Sequence, residues 1–284
     1  MRLLWISLLL VSQLWAYERV IALSPAINEI IFALGSGEKI IANTTFCTYP
    51  PKSQKKEKVG GFFAPNIEKI VALQPDIVLL QSHNYKLQKQ LKSLDIKSQV
   101  SRVETFADIR TTILSIGKLL EKEYQAQSIV KSLDKKLSNL AHIVQNKKIL
   151  IVIGHNLKIE KRIFVAGQNL YFDDIIKASG NQNAFQTTRK GQPILNRENI
   201  IATNPDIVIL LAPYMKKKNL TKKMLIDPWL DLPISASKDK NIYVVGEPYA
   251  GIPSDRLAFL LDDFRGFLKE VRAKVDKVSI SSPD

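Results

Sequence analysis

One stretch of this chain is written twice. Residues 66–80 align without a gap on residues 196–210. The alignment pairs Asn66 with Asn196, Glu68 with Glu198, Ile70 with Ile200 and Ala72 with Ala202, and then Pro75, Asp76, Ile77 and Val78 with Pro205, Asp206, Ile207 and Val208. Each copy reads the same way physically: an Asn N-cap, a Glu in the first turn, apolar residues at helical spacing, then Pro-Asp as a stop. The apolar runs that follow, DIVLL and DIVIL, suit parallel strands covered on both faces. Two helix-turn-strand copies imply two similar α/β halves, each presenting an acidic helix start at the corresponding place.

A length of 284 residues allows two modest cores, and 45% hydrophobic with 24% charged residues excludes disordered and fibrous classes. Residues 1–16 combine a positive start, an apolar run and a terminal Ala16, which reads as a cleaved signal peptide too short to span a bilayer. Cys47 is the only cysteine, so no internal disulfide forms and none stands at the end of the leader to carry a lipid. These features lead us to expect a soluble, monomeric protein of the bacterial periplasm. The net charge of +14 comes from dispersed lysines, clustered at residues 52–58 and 216–223. No aromatics interleave with those clusters, so they read as solvated surface and not as a nucleic-acid platform.

In chain order, residues 17–105 form a first lobe, 106–146 a helical linker and 147–284 a second lobe. Residues 19–23 read as a strand, followed by Ser24-Pro25 as a helix start. Gly35-Ser36-Gly37 lacks the third glycine and the strand-to-helix context of a dinucleotide fingerprint. Loops after parallel strands are where open α/β sheets bind ligands. Phe46, Cys47, Tyr49, Phe62 and Phe63 stand in such loops. The linker reads as helical with an interruption near Glu123-Tyr124. An apolar stripe from Ala126 to Val144 suggests a helix of about 23 residues, about 35 Å long, able to tie the lobes together. A final helix is expected from Asp255 to Val271, with a frayed tail beyond Lys274.

Catalytic and metal-binding motifs are missing: the sequence holds no H-E-x-x-H, C-x-x-C, G-x-S-x-G or P-loop. Three histidines remain. His142 lies on the linker, whereas His83 and His155 each follow a core strand, one per lobe, and would face a shared cleft. Imidazole suits late first-row metals, which makes a receptor for nickel, free or chelated by histidine, an alternative reading. A two-lobe enzyme is another, with no catalytic constellation in its favour.

The combined order of RVIALSPAINEI, the TYPP segment, VGGF and the two repeat copies resembles the periplasmic substrate-binding proteins for vitamin B12 and iron chelates that serve ABC importers. The resemblance covers essentially the whole chain after the leader. It implies an α/β fold of two Rossmann-like lobes joined by a single long α-helix, with the ligand in the cleft between them. It also implies that Glu68 and Glu198 dock onto an inner-membrane permease, and that no intrinsic cofactor is needed beyond a bound metal complex, a cobalamin or a ferric chelate. Phe46, Phe62 and Phe164 fall where the vitamin B12 binders place cleft aromatics, whereas Gln81 and Gln192 stand where tryptophans would. The haem-binding relatives offer a tyrosine near the Phe62 position, and Phe cannot ligate iron. Siderophore binders use arginines and tyrosines around an anionic chelate, for which Arg256, Tyr249 and Tyr49 qualify.

Overall fold

The computed structural model describes residues 17–154, 156–160, 162–187 and 192–281. The first lobe runs β1 (Val20–Ala22), α1 (Pro25–Ala33), β2 (Ile40–Asn43), α2 (Pro51–Gln54), β3 (Glu57–Lys58), α3 (Ile67–Ala72), β4 (Ile77–Gln81), α4 (Tyr85–Ser93) and β5 (Ser98–Ser101). Its five strands are parallel in the order β3-β2-β1-β4-β5. Two helices follow, α5 (Phe106–Leu119) and α6 (Glu123–Ser138). The second lobe runs β6 (Lys148–Ile153), β7 (Ile163–Val165), α7 (Tyr171–Ala178), β8 (Gln182–Asn183), β9 (Ile194–Leu195), α8 (Arg197–Thr203), β10 (Ile207–Leu211), α9 (Lys222–Leu230), α10 (Ser235–Lys238), β11 (Ile242–Val245) and α11 (Leu257–Ser281). Here β11, β10 and β6 are parallel. The start of β6 also pairs in parallel with β8, while its end pairs antiparallel with β7, so an inserted hairpin breaks the likeness between the two sheets.

The two repeat copies fold alike down to individual atoms. Asn66 caps α3 by accepting from the Lys69 amide at 2.9 Å, and Asn196 caps α8 by accepting from the Asn199 amide at 2.8 Å. Both helices end at a residue with positive φ, Gln74 and Asn204. The Asp of each Pro-Asp pair then accepts from the backbone that opens its lobe. Asp76 takes the Arg19 amide at 2.8 Å, and Asp206 takes the Lys148 amide at 2.7 Å. Arg19 and Lys148 return to the helix ends, donating to the carbonyls of Leu73 and Thr203, where the helix dipole favours a cation.

Side chains alternate along every central strand, and the alternation assigns them to different cores. Ile21, Leu23, Val78 and Leu80 point to an outer core under α3 and α4. Leu150, Val152, Val208 and Leu210 serve the matching outer core of the second lobe. The residues between them, Val20, Ala22, Ile77 and Leu79 in one sheet and Ile149, Ile151, Ile207 and Ile209 in the other, belong to one continuous cluster. Apolar side chains of α1, α5, α6, α7 and α11 complete it.

The lobes are joined through helix, as the sequence implies, but the joining segment is shorter than the stripe suggested. Helix α5 touches α1 of the first lobe and α7 of the second. The chain then turns at residues 120–122, with Glu121 at positive φ, and α6 folds back. Arg110 meets Asp134 at 3.1 Å near one end of this hairpin, and Gly117 lies against Ala126 at the other. The expected 23-residue rod ends at Ser138 because Leu140 and Val144 reach the core from turns and not from helix. The last helix differs in the opposite sense. It continues to Ser281, braced by Arg272 on Asp276 and by Lys274, which donates to the Lys240 carbonyl at 2.8 Å.

Candidate ligand cleft

Loops at the carboxyl ends of both sheets converge on a cavity of about 400 Å³ between the lobes. The first lobe contributes Pro25 and Ala26 at the start of α1, Phe46 and Thr48 after β2, Phe62 and Phe63 before α3, and Gln81 at the end of β4. The second contributes Ile153 at the end of β6, Pro213 and Tyr214 after β10, and Pro248, Gly251, Ile252 and Pro253 after β11. Among the described residues, no charged side chain lines this space.

Local structure holds these loops. Asn43, buried at the end of β2, donates to Asn28 at 2.8 Å and to Ser53 at 2.9 Å. Asn28 in turn donates to the Tyr49 carbonyl at 2.8 Å, and Ser53 donates to the Cys47 carbonyl. A buried, satisfied network of this kind fixes backbone position, and Phe46 and Thr48 ride on it. Cys47 is sealed beneath. Burial pushes its thiol upward and away from the reactive thiolate. The second loop turns at Gly60, whose φ of 102° leaves no room for a side chain: a Cβ would lie 3.1 Å from the Ala64 carbonyl oxygen. That turn projects Phe62 and Phe63 into the cleft mouth. Their rings meet edge to face at 4.8 Å, and His83 packs on both, at 4.3 Å from Phe62 and 5.5 Å from Phe63. Burial lowers the His83 pKa, so the imidazole is neutral at neutral pH.

Phe46, Phe62, Phe63 and Gln81 are thus brought together as the sequence suggests. The others are placed differently. Arg256 is only 6% exposed and spends its guanidinium on Glu29, which is 2% exposed, with Nε and Nη2 donating at 2.9 and 2.5 Å. Ser254 donates to the same carboxylate at 2.6 Å, and the Tyr49 ring covers the guanidinium at 3.8 Å. Arg256 and Tyr49 therefore form a junction between α1 and the start of α11, and an anionic chelate finds no free cation there. Tyr249 turns onto α11. Its hydroxyl donates to Asp263 at 2.8 Å and its ring packs on Phe259, because the lining residues Pro248 and Gly251 occupy the cleft side of that loop. Phe164 pairs across the strands with the lining residue Ile153 but does not itself line the cavity. Gln192 is exposed and away from the lining. His155 and the leader 1–16 lie outside the described residues. Among the described residues, no group of three His, Cys, Asp or Glu side chains could hold a metal ion, and no helix is long and apolar enough to cross a membrane.

Tyr214 and the lining prolines of the second lobe were not anticipated. Extending the repeat register four residues past Leu80 and Leu210 reaches Asn84 and Tyr214, so the internal repeat itself pointed to this segment. The prolines carried no such mark, since a proline in a loop reads first as a turn.

A family model described as periplasmic binding protein matches residues 20–249. The chain belongs to that family. The vitamin B12-binding protein of Salmonella typhimurium is 30% identical over 209 residues, covering 72% of this chain and 77% of the relative. Two solved structures share the fold. The periplasmic vitamin B12 binding protein BtuF of Vibrio cholerae matches with a TM-score of 0.77 at 19% identity, over 91% of this chain and 99% of that one. The apo form of the periplasmic heme-binding protein RhuT from Roseiflexus sp. RS-1 matches with a TM-score of 0.73 at 21% identity, over 90% and 99%. This periplasmic binding protein is a substrate-binding protein of the family that includes the vitamin B12-binding proteins, and not an enzyme. Members of the family bind small molecules and work with ABC permeases.

Proposed function

We propose that the protein captures a planar metal chelate, foremost a corrinoid, between its lobes and delivers it to an ABC permease of the inner membrane. The observation that carries this reading is the cleft lining: Phe46, Phe62, Phe63 and Tyr214 offer aromatic area, and no charged lining residue is described. Large uncharged rings at low rotamer cost suit the faces and edges of a macrocycle. A bare ion wants converging donors, which the described residues do not assemble. A ferric siderophore wants cations, and Arg256 is already paired. Export behind the apolar leader 1–16 gives the protein a periplasmic place of work. Glu68 and Glu198 are exposed at matched helix starts on the two lobes, and neither makes an ion pair with a described residue, so both are free to meet basic pockets of the permease.

Calorimetric titration with cyanocobalamin, hemin, a ferric siderophore and nickel with histidine tests the reading. Saturable, tight binding of the corrinoid is expected. Tight binding of the siderophore or the nickel complex without any macrocycle binding would overturn it.

A further inference from the structure

The two lobes share one more likeness besides their matched glutamates. In each lobe the helix that opens on the glutamate has a neighbour in the same outer layer: α4 beside α3 over one core, α9 beside α8 over the other. Both neighbours follow the strand that ends the repeat, β4 or β10. They too start at the cleft end of their sheet, where Gln81 and Tyr214 line the cavity. They open on lysine where α3 and α8 open on glutamate. Lys86 stands in the first turn of α4, and Lys222 and Lys223 stand in the first turn of α9, just after the helical turn Lys216–Lys218. No acidic residue offsets them in either first turn.

A cation at a helix start opposes the helix dipole, so helix stability does not account for these lysines. Ion pairing accounts for only some of them. Lys216 reaches Glu247 at 2.6 Å, and Lys223 meets Asp227 one turn further on. Asp263 lies within the field of Lys222 but accepts its hydrogen bond from the Tyr249 hydroxyl. Lys86, Lys217 and Lys222 are exposed, and none of them makes an ion pair with a described residue. Beside them Tyr85 is 56% exposed and Met224 43% exposed. Lysines with an exposed tyrosine and an exposed thioether suit a lipid headgroup layer, the ammonium groups on phosphate and the less polar groups at the interface.

We infer that this basic rim, Lys86 on one lobe and Lys217 with Lys222 on the other, rests on the anionic phospholipid headgroups around the permease. This builds on the docking role proposed above and gives it a second partner. Basic pockets that attract Glu68 and Glu198 repel lysines, whereas the phosphodiesters of an anionic leaflet attract them. The two signs of charge therefore sort the cleft-end face into a part that meets the permease and a part that meets lipid.

Co-sedimentation of the exported, leader-free protein with phosphatidylcholine vesicles, with and without one quarter phosphatidylglycerol, tests this with no permease present. Adsorption is expected on the anionic vesicles alone, and about 0.5 M salt should abolish it. Lys86→Gln, Lys217→Gln and Lys222→Gln combined in one protein should weaken adsorption at least tenfold, with a melting temperature no lower than wild type. The corresponding three arginine substitutions should preserve adsorption. Inorganic phosphate at matched ionic strength should not compete. Equal adsorption by wild type and the glutamine variant, no adsorption to the anionic vesicles, or full displacement by phosphate, the mark of a discrete anion pocket, would each overturn the proposal. Glu68→Arg with Glu198→Arg should still adsorb, so loss of the docking role and loss of lipid contact are read separately.

Discussion

Where α1 meets the start of α11, one guanidinium serves two carboxylates unequally. Glu29 holds Arg256 at both ends, and the neighbouring Asp255 is left with a buried oxygen, Oδ1, that no described group satisfies. Burial, and next the charge of Glu29, push the Asp255 pKa up to about 6 from 3.8, against the pull of Arg256. The folded state then holds this proton more tightly than the unfolded chain does. Asp255 costs nothing below about pH 4, and its cost grows as pH rises through 6, on the order of 3 kcal/mol at the plateau. Asp255→Asn should therefore be more stable than wild type at pH 7 and nearly equal to it at pH 4 in thermal unfolding. A difference that shrinks as pH rises would refute this account. Phe62 sits in a different balance, since it is half-buried and touches Phe63 and His83 rather than a core cluster. Phe62→Ala should weaken ligand binding at least tenfold, about 1.4 kcal/mol, while the melting temperature of the free protein stays within about 2 °C. Unfolding of that variant would make Phe62 a structural residue.

Among the elements, the α5–α6 hairpin depends on close approach at its turn. A Cβ on Gly117 would lie 2.4 Å from the Cβ of Ala126 and 3.2 Å from the Lys122 carbonyl oxygen. The two helices have no slack to take it up, because Ile109, Ile113 and Ile116 on one and Val130 and Leu133 on the other are committed to the shared core. Gly117→Ala should cost about 1–3 kcal/mol, as overpacking does. Adding Ala126→Gly should recover most of that loss, since the methyl is then supplied from the opposite helix. Denaturant unfolding of the single and double variants measures both effects, and no recovery in the double variant would place the strain elsewhere.

At the scale of the whole molecule, the continuity of the central core decides how the cleft can move. Inner faces of both sheets and five helices share one apolar cluster, and the buried Glu29–Arg256 pair adds a polar link between α1 and the start of α11. Opening a hinge through such a core would expose apolar surface at about 25 cal/mol per Å². Ligand closure should thus be small, and X-ray scattering profiles with and without bound ligand should nearly superimpose. A contraction of several ångströms in radius of gyration would contradict this. A rigid body also lets two distant contacts act together. Glu68→Arg with Glu198→Arg should abolish stimulation of the permease ATPase while ligand affinity in solution changes by less than about threefold, under 1 kcal/mol. Each single change should give an intermediate defect, and salt should weaken the wild-type complex. Unimpaired stimulation by the double variant would remove the docking role.

What the sequence determined by itself was local and repeated. The caps by Asn66 and Asn196, the Pro-Asp stops and the buried strands follow from nearest-neighbour chemistry, and writing them twice specified two lobes. The aromatic loops on the first lobe were legible for the same reason, because a strand end followed by Phe-rich irregular chain reads as a binding loop. Tertiary structure alone decided what long-range pairing governs. Arg256 looked free for a ligand until Glu29, 227 residues away in sequence, proved to hold it, and a buried arginine is stable only with such a partner. The linker stripe could not reveal that α6 folds back on α5, since one apolar face serves equally for a rod or for a hairpin against the same core. The cleft wall of the second lobe emerged only when β10 and β11 were set beside β6, which brought Pro213, Tyr214, Ile252 and Pro253 opposite the phenylalanines of the first.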